Sequence, residues 1–286
     1  SGLVGGFVGL LLLRALMGLA EGPVLPLSQT LMVEASTPSR RGLNMGLLQG
    51  SSAGLLGAVI APPVIVSLAV AYGWRTAFYL TCIPGVIAAA LIWRHVRNTQ
   101  GGRTDGQPGE AQAGPRWALL RERNIWLSVL ISCVFMAWFV IIISFAPTYL
   151  INAKGFEPGT MSAVMSCMGV AWVIWGFAVP AISDRIGRRP ALIFFSFVAA
   201  GCPLAFLYAQ SPVVLGGLLL LTYTGLGCFT LFMATIPAET VPRAAMATAL
   251  GMIMGVGELI GGFVAPTLAG LAADRWGLDV VMWVAA

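Results

Sequence analysis

The sequence predicts an all-α protein embedded in a membrane, and three observations carry that expectation. Of its 286 residues, 58% are hydrophobic and only 9% charged, where soluble domains carry about 25% charged residues. Its apolar residues gather into runs long enough for a helix to cross the hydrocarbon layer, which takes about 20 residues. Its basic residues crowd into alternate loops between those runs, the pattern that sets orientation in a bilayer. The mean hydropathy of +0.88 agrees.

The runs cover 5–32, 43–71, 76–94, 125–150, 159–182, 190–209, 213–236 and 245–271, and a ninth opens near 279 and reaches Ala286. One set of loops holds Arg40 and Arg41, then Arg94, Arg97, Arg103, Arg116, Arg121 and Arg123, then Arg185, Arg188 and Arg189, then Arg243. These are twelve of the sixteen basic residues; the opposite loops hold only Arg75, Lys154 and Arg275. The rich side is assigned to the cytoplasm. Residues 98–116, rich in Gly, Gln and Pro, read as a flexible linker. The chain therefore divides into a partial N-terminal helical bundle at 1–96, a cytoplasmic linker at 97–124, and a C-terminal bundle at 125–286.

Several function classes are excluded. The net charge of +5 forms no single basic patch, so nucleic acid is not an expected partner. The five cysteines all lie within apolar runs without CxxC spacing, and His95 is the single histidine, so neither a metal site nor a disulfide framework is expected. No GxxxxGK[ST] loop occurs, and Ser, His and Asp never combine in a setting for covalent catalysis; an enzyme is not expected. The first apolar run lacks a basic leader and carries Arg14, so it does not read as a signal peptide.

Three charges break the apolar runs. Arg14 and Glu21, seven residues apart, point to one face of a helix but stand about 10 Å apart along it, too far to pair. A charge at such depth costs at least ~2.5–3.5 kcal/mol and is kept mainly where it lines a polar cavity. Glu21 suits a proton carrier, because desolvation and a nearby arginine pull a carboxyl pKa in opposite directions. Arg14 offers a permanent charge and a planar fork suited to a carboxylate. Glu258, in MGVGELIGG, is the third charge and a second candidate for proton coupling. Gln49, Ser51 and Ser52 form a polar patch, from which Gln49 and Ser52 are candidate substrate contacts, and Tyr149 is a candidate contact or gate at the opposite side from the linker.

The two halves repeat. Glu34 to Pro38 followed by Arg40 echoes Glu239 to Arg243. Gly46, Gly50, Gly57, Ala61-Pro62 and Gly73 recur as Gly251, Gly255, Gly261, Ala265-Pro266 and Gly277, at a steady offset of 204–205 residues. Parallel half-repeats mark certain transporter folds. The offset implies a twelve-helix parent in which this chain supplies helices four to eleven and part of twelve, about eight full spans plus part of another. With three helices lacking, the chain on its own is not expected to function.

The loop Ser183 to Pro190, SDRIGRRP, resembles the loop signature of the major facilitator superfamily, with Asp184, Arg185, Gly187, Arg188 and Arg189 in place and Pro180 where the leading glycine would stand. Arg14-x-x-x-Gly18-x-x-Glu21-Gly22 is similar to its fourth-helix pattern, and Gly73 to Leu80 (GWRTAFYL) to the start of its sixth helix. Within it, the Arg14/Glu21 spacing and Pro147-Thr-Tyr-Leu150 resemble the anion:cation symporters; Phe145 and Ala146 stand where that family often has tryptophan. The resemblance implies a two-bundle helical fold, proton coupling at Glu21, anion binding at Arg14, and a conformational latch at Asp184, Arg185, Gly187, Arg188 and Arg189.

The expected activity is proton-coupled symport of a small organic anion, a carboxylate or sugar acid, by alternating access. No cofactor is expected; the proton gradient drives it. The expected partners are the lipid bilayer, the anion and the proton, with the protein a monomer in a bacterial inner membrane. A drug or neutral-sugar carrier of the same superfamily is the first rival, and a non-transporting receptor or scaffold the second.

Overall fold

The computed structural model describes residues 6–22, 24, 27, 28, 31, 32, 36, 44, 47–95, 122–241 and 243–286. Every regular element among them is helical. We number the helices α1 (Phe7–Glu21), α2 (Leu47–Ile60 continuing as Ala61–Tyr72), α3 (Trp74–Leu80 and Cys82–His95), α4 (Arg123–Thr148 continuing as Tyr149–Ala153), α5 (Pro158–Ile186) and α6 (Arg188–Tyr208). There follow α7 (Pro212–Thr222, then Gly225–Thr230, Leu231–Thr235 and Ile236–Thr240), α8 (Arg243–Gly257, Glu258–Val264 and Ala265–Trp276) and α9 (Asp279–Ala285).

Seven stretches among the described residues are long and apolar enough to cross a membrane: Gly54–Tyr72, Trp74–His95, Arg123–Ala153, Pro158–Ile186, Arg188–Tyr208, Pro212–Met233 and Thr248–Trp276. The expected first span, 5–32, is described only in part, and α1 covers fifteen of its residues. The expected ninth run is α9. The linker lies outside the described residues apart from its last positions, where α4 begins at Arg123, two residues before the predicted 125.

Helices α4 to α9 share one core. Ile125, Ile141, Ile142 and Leu150 of α4, Phe206 of α6, Leu215, Leu219 and Phe232 of α7 and Met282 of α9 are fully buried in it. Phe135 sits at the centre of a ring cluster, with centroids 5.3 Å from Phe229 and Phe232, 5.7 Å from Trp138 and 6.0 Å from Phe139. Aromatic pairs of this kind are worth about 0.5–1.5 kcal/mol beyond burial. That matters in lipid, where apolar association between helices gains little from the hydrophobic effect.

Backbone breaks are repaired by neighbouring side chains. Helix α7 opens at Tyr223–Thr224. The freed carbonyl of Leu220 accepts a hydrogen bond from Trp175 Nε1 at 2.7 Å, and Thr224 Oγ1 donates to the carbonyl of Phe195 at 2.7 Å. Irregular backbone at membrane depth survives only with such substitutes.

The sequence repeat has a backbone counterpart. Gly73 (φ 83°, ψ 152°) and Gly277 (φ 87°, ψ 167°), equivalent in the repeat, adopt nearly the same left-handed conformation, one that glycine alone holds without strain. The helix before each is π-helical up to Ile60 and up to Val264, and each π-helical stretch ends immediately before the repeated Ala-Pro pair. Proline has no N–H and its ring crowds the carbonyl four residues back. A wider turn at that point relieves the crowding, and such turns occur as local insertions in α-helices.

Helices α2 and α5 form the seam between the N-terminal helices and the C-terminal core. Gly54 of α2 and Gly169 of α5 are both buried there. A Cβ on Gly169 would stand 2.3 Å from the carbonyl carbon of Ala58, and one on Gly54 would stand 2.7 Å from Val173 Cγ2. Ser166 Oγ donates across the seam to the carbonyl of Val59, at 3.0 Å. Small residues thus let two backbones touch and exchange a hydrogen bond.

Candidate functional site

Arg14 and Glu21 lie on α1, whose apolar character runs all round it: Phe7 and Leu19, for example, are 79% and 76% exposed. No residue of α1 is buried. Neither charged side chain makes an ion pair or hydrogen bond with a described residue. The expected absence of a direct Arg14–Glu21 bond therefore agrees with the geometry. Pro23 and Pro26, expected to soften the helix after Glu21, lie outside the described residues.

Glu258 opens the π-helical segment of α8 and is exposed. Its Oε2 folds back along its own helix, 2.7 Å from where a Cβ on Gly262 would stand. One residue earlier, Gly257 packs against Ser132 of α4 so closely that a Cβ would fall 2.1 Å from Ser132 Oγ. Ser132 Oγ and Trp138 Nε1 are buried without a hydrogen-bond partner among the described residues. Sequence reasoning did not single out either; both are hidden in an apolar run, and a lone Ser or Trp there gives no periodic signal.

Gln49 and Ser52 are on the π-helical part of α2, two turns before the seam residue Ala58; their side chains lie outside the description. Trp138 borders an apolar pocket of about 530 Å³ that opens to the surface of the C-terminal helices, shared by Ser196, Gly225, Cys228 and Phe232. Neither this cavity nor the cleft at the start of α6 includes Arg14, Glu21 or Glu258.

Tyr149 is buried at the end of α4, and its hydroxyl donates to Asp279 Oδ1 of α9 at 2.7 Å. Beside it, Lys154 Nζ donates to the carbonyls of Leu207 and Ala209, at 3.1 and 3.0 Å, closing the C-terminus of α6. A cation is favoured at that end of a helix. Burial pulls Lys154 below the ordinary lysine range, and the nearby Asp279 charge opposes the shift. The sequence suggested a contact or gate at Tyr149; its hydroxyl has a partner on α9, supplied by an aspartate that sequence reasoning passed over. Tyr149→Phe is expected to lower stability by about 1–2 kcal/mol, the range for a hydrogen bond to a partly solvated carboxylate. Tyr208→Phe, at a side chain 69% exposed, is expected to change it by less than about 0.5 kcal/mol. Unfolding titrations in mixed micelles measure both.

The loop Asp184 to Arg189 joins α5 to α6 through Gly187 (φ 94°). Arg188 bonds both Asp184 and Ser183, so Asp184 is paired with an arginine of its own loop.

Equivalent π-helical stretches in α2 and α8, a small-residue seam and a D-R-x-G-R-R loop are now in place. The chain matches the Major Facilitator Superfamily over residues 1–266. It belongs to that superfamily. As a member it is an integral, multi-pass membrane protein. It is 28% identical over 268 residues to a "Probable 4-methylmuconolactone transporter" of Cupriavidus pinatubonensis, covering 91% of this chain and 62% of the relative. It is 26% identical over 266 residues to the "Alpha-ketoglutarate permease" of Escherichia coli, covering 88% of this chain and 60% of the relative. The chain thus spans about three-fifths of the length of these superfamily relatives. The crystal structure of a bacterial homologue of the iron transporter ferroportin in an outward-facing state shares the fold, with a TM-score of 0.57, 14% identity, and coverage of 94% of this chain and 65% of that one.

Proposed function

We propose that the protein takes part in secondary active transport as a proton-coupled symporter of an organic anion, a carboxylate or sugar acid. The observation that carries this reading is the pairing, on one helix of a superfamily member, of a permanent guanidinium at Arg14 with a titratable acid at Glu21. Similarity to a "Probable 4-methylmuconolactone transporter" and an "Alpha-ketoglutarate permease" supports an organic acid as cargo.

In this mechanism Arg14 holds the anion's carboxylate, with Gln49 and Ser52 as neutral donors, and Glu21 carries the proton, Glu258 serving as a second acid. Reorientation requires that proton and anion together stabilise the state that moves. The widened turns of α2 and α8 lie where the bundles rock, and the Asp184–Arg189 loop steadies one end state. Tyr149 acts as a strut through Asp279. The driving force is the proton gradient, and no cofactor takes part. The protein works as a monomer in a bacterial inner membrane with residues 97–124 in the cytoplasm.

Proteoliposomes containing the full-length protein test the reading. An inward proton gradient is expected to drive accumulation of a dicarboxylate or sugar acid above its equilibrium level, and a protonophore is expected to abolish it. Uptake of neutral sugars or cations alone, or anion uptake indifferent to the gradient, would overturn the proposal.

A further inference from the structure

Where α5 passes into α6, Arg185, Arg188 and Arg189 cluster in sequence with one acid, Asp184. Asp184 is taken by Arg188. Arg189 is exposed and has no ion pair or side-chain hydrogen bond with a described residue. Next to it runs a shallow cleft of about 610 Å³, lined by Arg189, Pro190, Ile193, Phe194 and Phe197. Positions 189, 193 and 197 recur every four residues, so they form one stripe up the helix. Ile193, Phe194 and Phe197 are 50%, 60% and 78% exposed. The result is a shallow, exposed apolar stripe along one helix with a guanidinium at its end. The start of a 21-residue helix adds its positive dipole end at the same place.

We propose that this cleft seats one anionic phospholipid, with an acyl chain along Ile193, Phe194 and Phe197 and the headgroup phosphate on Arg189. Charge complementarity selects this occupant. After the Asp184–Arg188 pair, Arg185 and Arg189 have no ion pair with a described residue, and a guanidinium fork matches phosphate oxygens. A zwitterionic lipid brings its own cation to the rim and gains less. Arg189 to Phe197 spans eight residues, about 12 Å of helix, close to one leaflet of an about 30 Å hydrocarbon layer. The inference rests on the orientation proposed above, which places this end at the cytoplasmic leaflet, where basic groups meet anionic headgroups.

Native mass spectrometry of the detergent-purified protein, titrated with equimolar phosphatidylglycerol and phosphatidylcholine, tests it. One phosphatidylglycerol adduct is expected to persist, with about fivefold preference over phosphatidylcholine. Arg189→Gln is expected to erase that preference, and Arg275→Gln, at the opposite end of the bundle, to leave it unchanged. Should Arg189→Gln fail to fold, a photoreactive phosphatidylglycerol on the unmodified protein replaces it and is expected to label the segment 189–197. Millimolar inorganic phosphate is expected not to displace the lipid. Equal retention of the two lipids, an undiminished preference in Arg189→Gln, labelling elsewhere, or displacement by phosphate would overturn the proposal. None of these readouts involves transport, so their failure leaves the proposed symport untouched.

Discussion

Gly169→Ala is expected to cut uptake by the full-length protein about tenfold or more and to lower its stability by about 1–3 kcal/mol. The added methyl would meet backbone, not a movable side-chain tip: Ala58 C at 2.3 Å, Ala58 O at 2.4 Å and Val59 N at 2.6 Å. Helices α2 and α5 would have to part. Separation would also stretch the bond from Ser166 Oγ to the Val59 carbonyl, which sits in the widened part of α2. On the proposed mechanism, rocking about this seam would fail when the seam opens. The control lies in the same helix: a Cβ on Gly159 meets nothing within 4 Å, so Gly159→Ala is expected to be near neutral. Initial uptake rates and thermal unfolding of the two variants, measured side by side, check this. Equal behaviour of the two would show that the helices are not in backbone contact during the cycle.

Glu21→Gln is expected to reduce proton-driven accumulation roughly 100-fold, toward the upper range of coupling between two sites. The amide keeps the shape and hydrogen-bonding capacity but cannot release a proton. Exchange of labelled for unlabelled anion, which needs no net proton movement, is expected to persist. Arg14→Ala is expected to act differently, raising KM for the anion, and Arg14→Lys to restore it incompletely because an ammonium lacks the planar fork. Uptake and counterflow assays over a range of external pH separate the two roles. Retention of full gradient-driven uptake by Glu21→Gln would remove Glu21 from the coupling step.

Most of the architecture was legible because lipid imposes a simple rule. A helix that crosses must be apolar for about 20 residues, and a loop on one side collects arginine. That rule located the helices now numbered α2 to α8 to within a few residues. The repeat was legible through glycine and proline, since these two residues dictate backbone conformation: Gly73 and Gly277 share a left-handed turn, and both Ala-Pro pairs follow π-helical backbone.

What escaped was geometry that uniform apolarity conceals. In LLQGSSAGLLGAVI nothing distinguishes a π-helical from an α-helical turn, because small and apolar residues on every side leave no periodic pattern for the longer turn to shift. Gly169 stands alone in its stretch, without the regular spacing that drew attention to Gly50, Gly54 and Gly57. Tyr149 was visible, but its partner Asp279 lies 130 residues away. For Arg14 and Glu21 the residue types were informative and the surroundings were not. The groups that would enclose them are not among the described residues.

Pro62 and Gly73 are eleven residues apart, as are Pro266 and Gly277. At about 1.5 Å per residue this spacing is a ruler of about 16 Å, roughly half the hydrocarbon thickness. It sets the end of each π-helical stretch the same distance along the helix from the left-handed glycine that closes it. On the proposed rocking mechanism this match would let both halves bend about one plane, as two leaves share a hinge line. Adding or removing a residue inside either interval would put that half out of step with its twin.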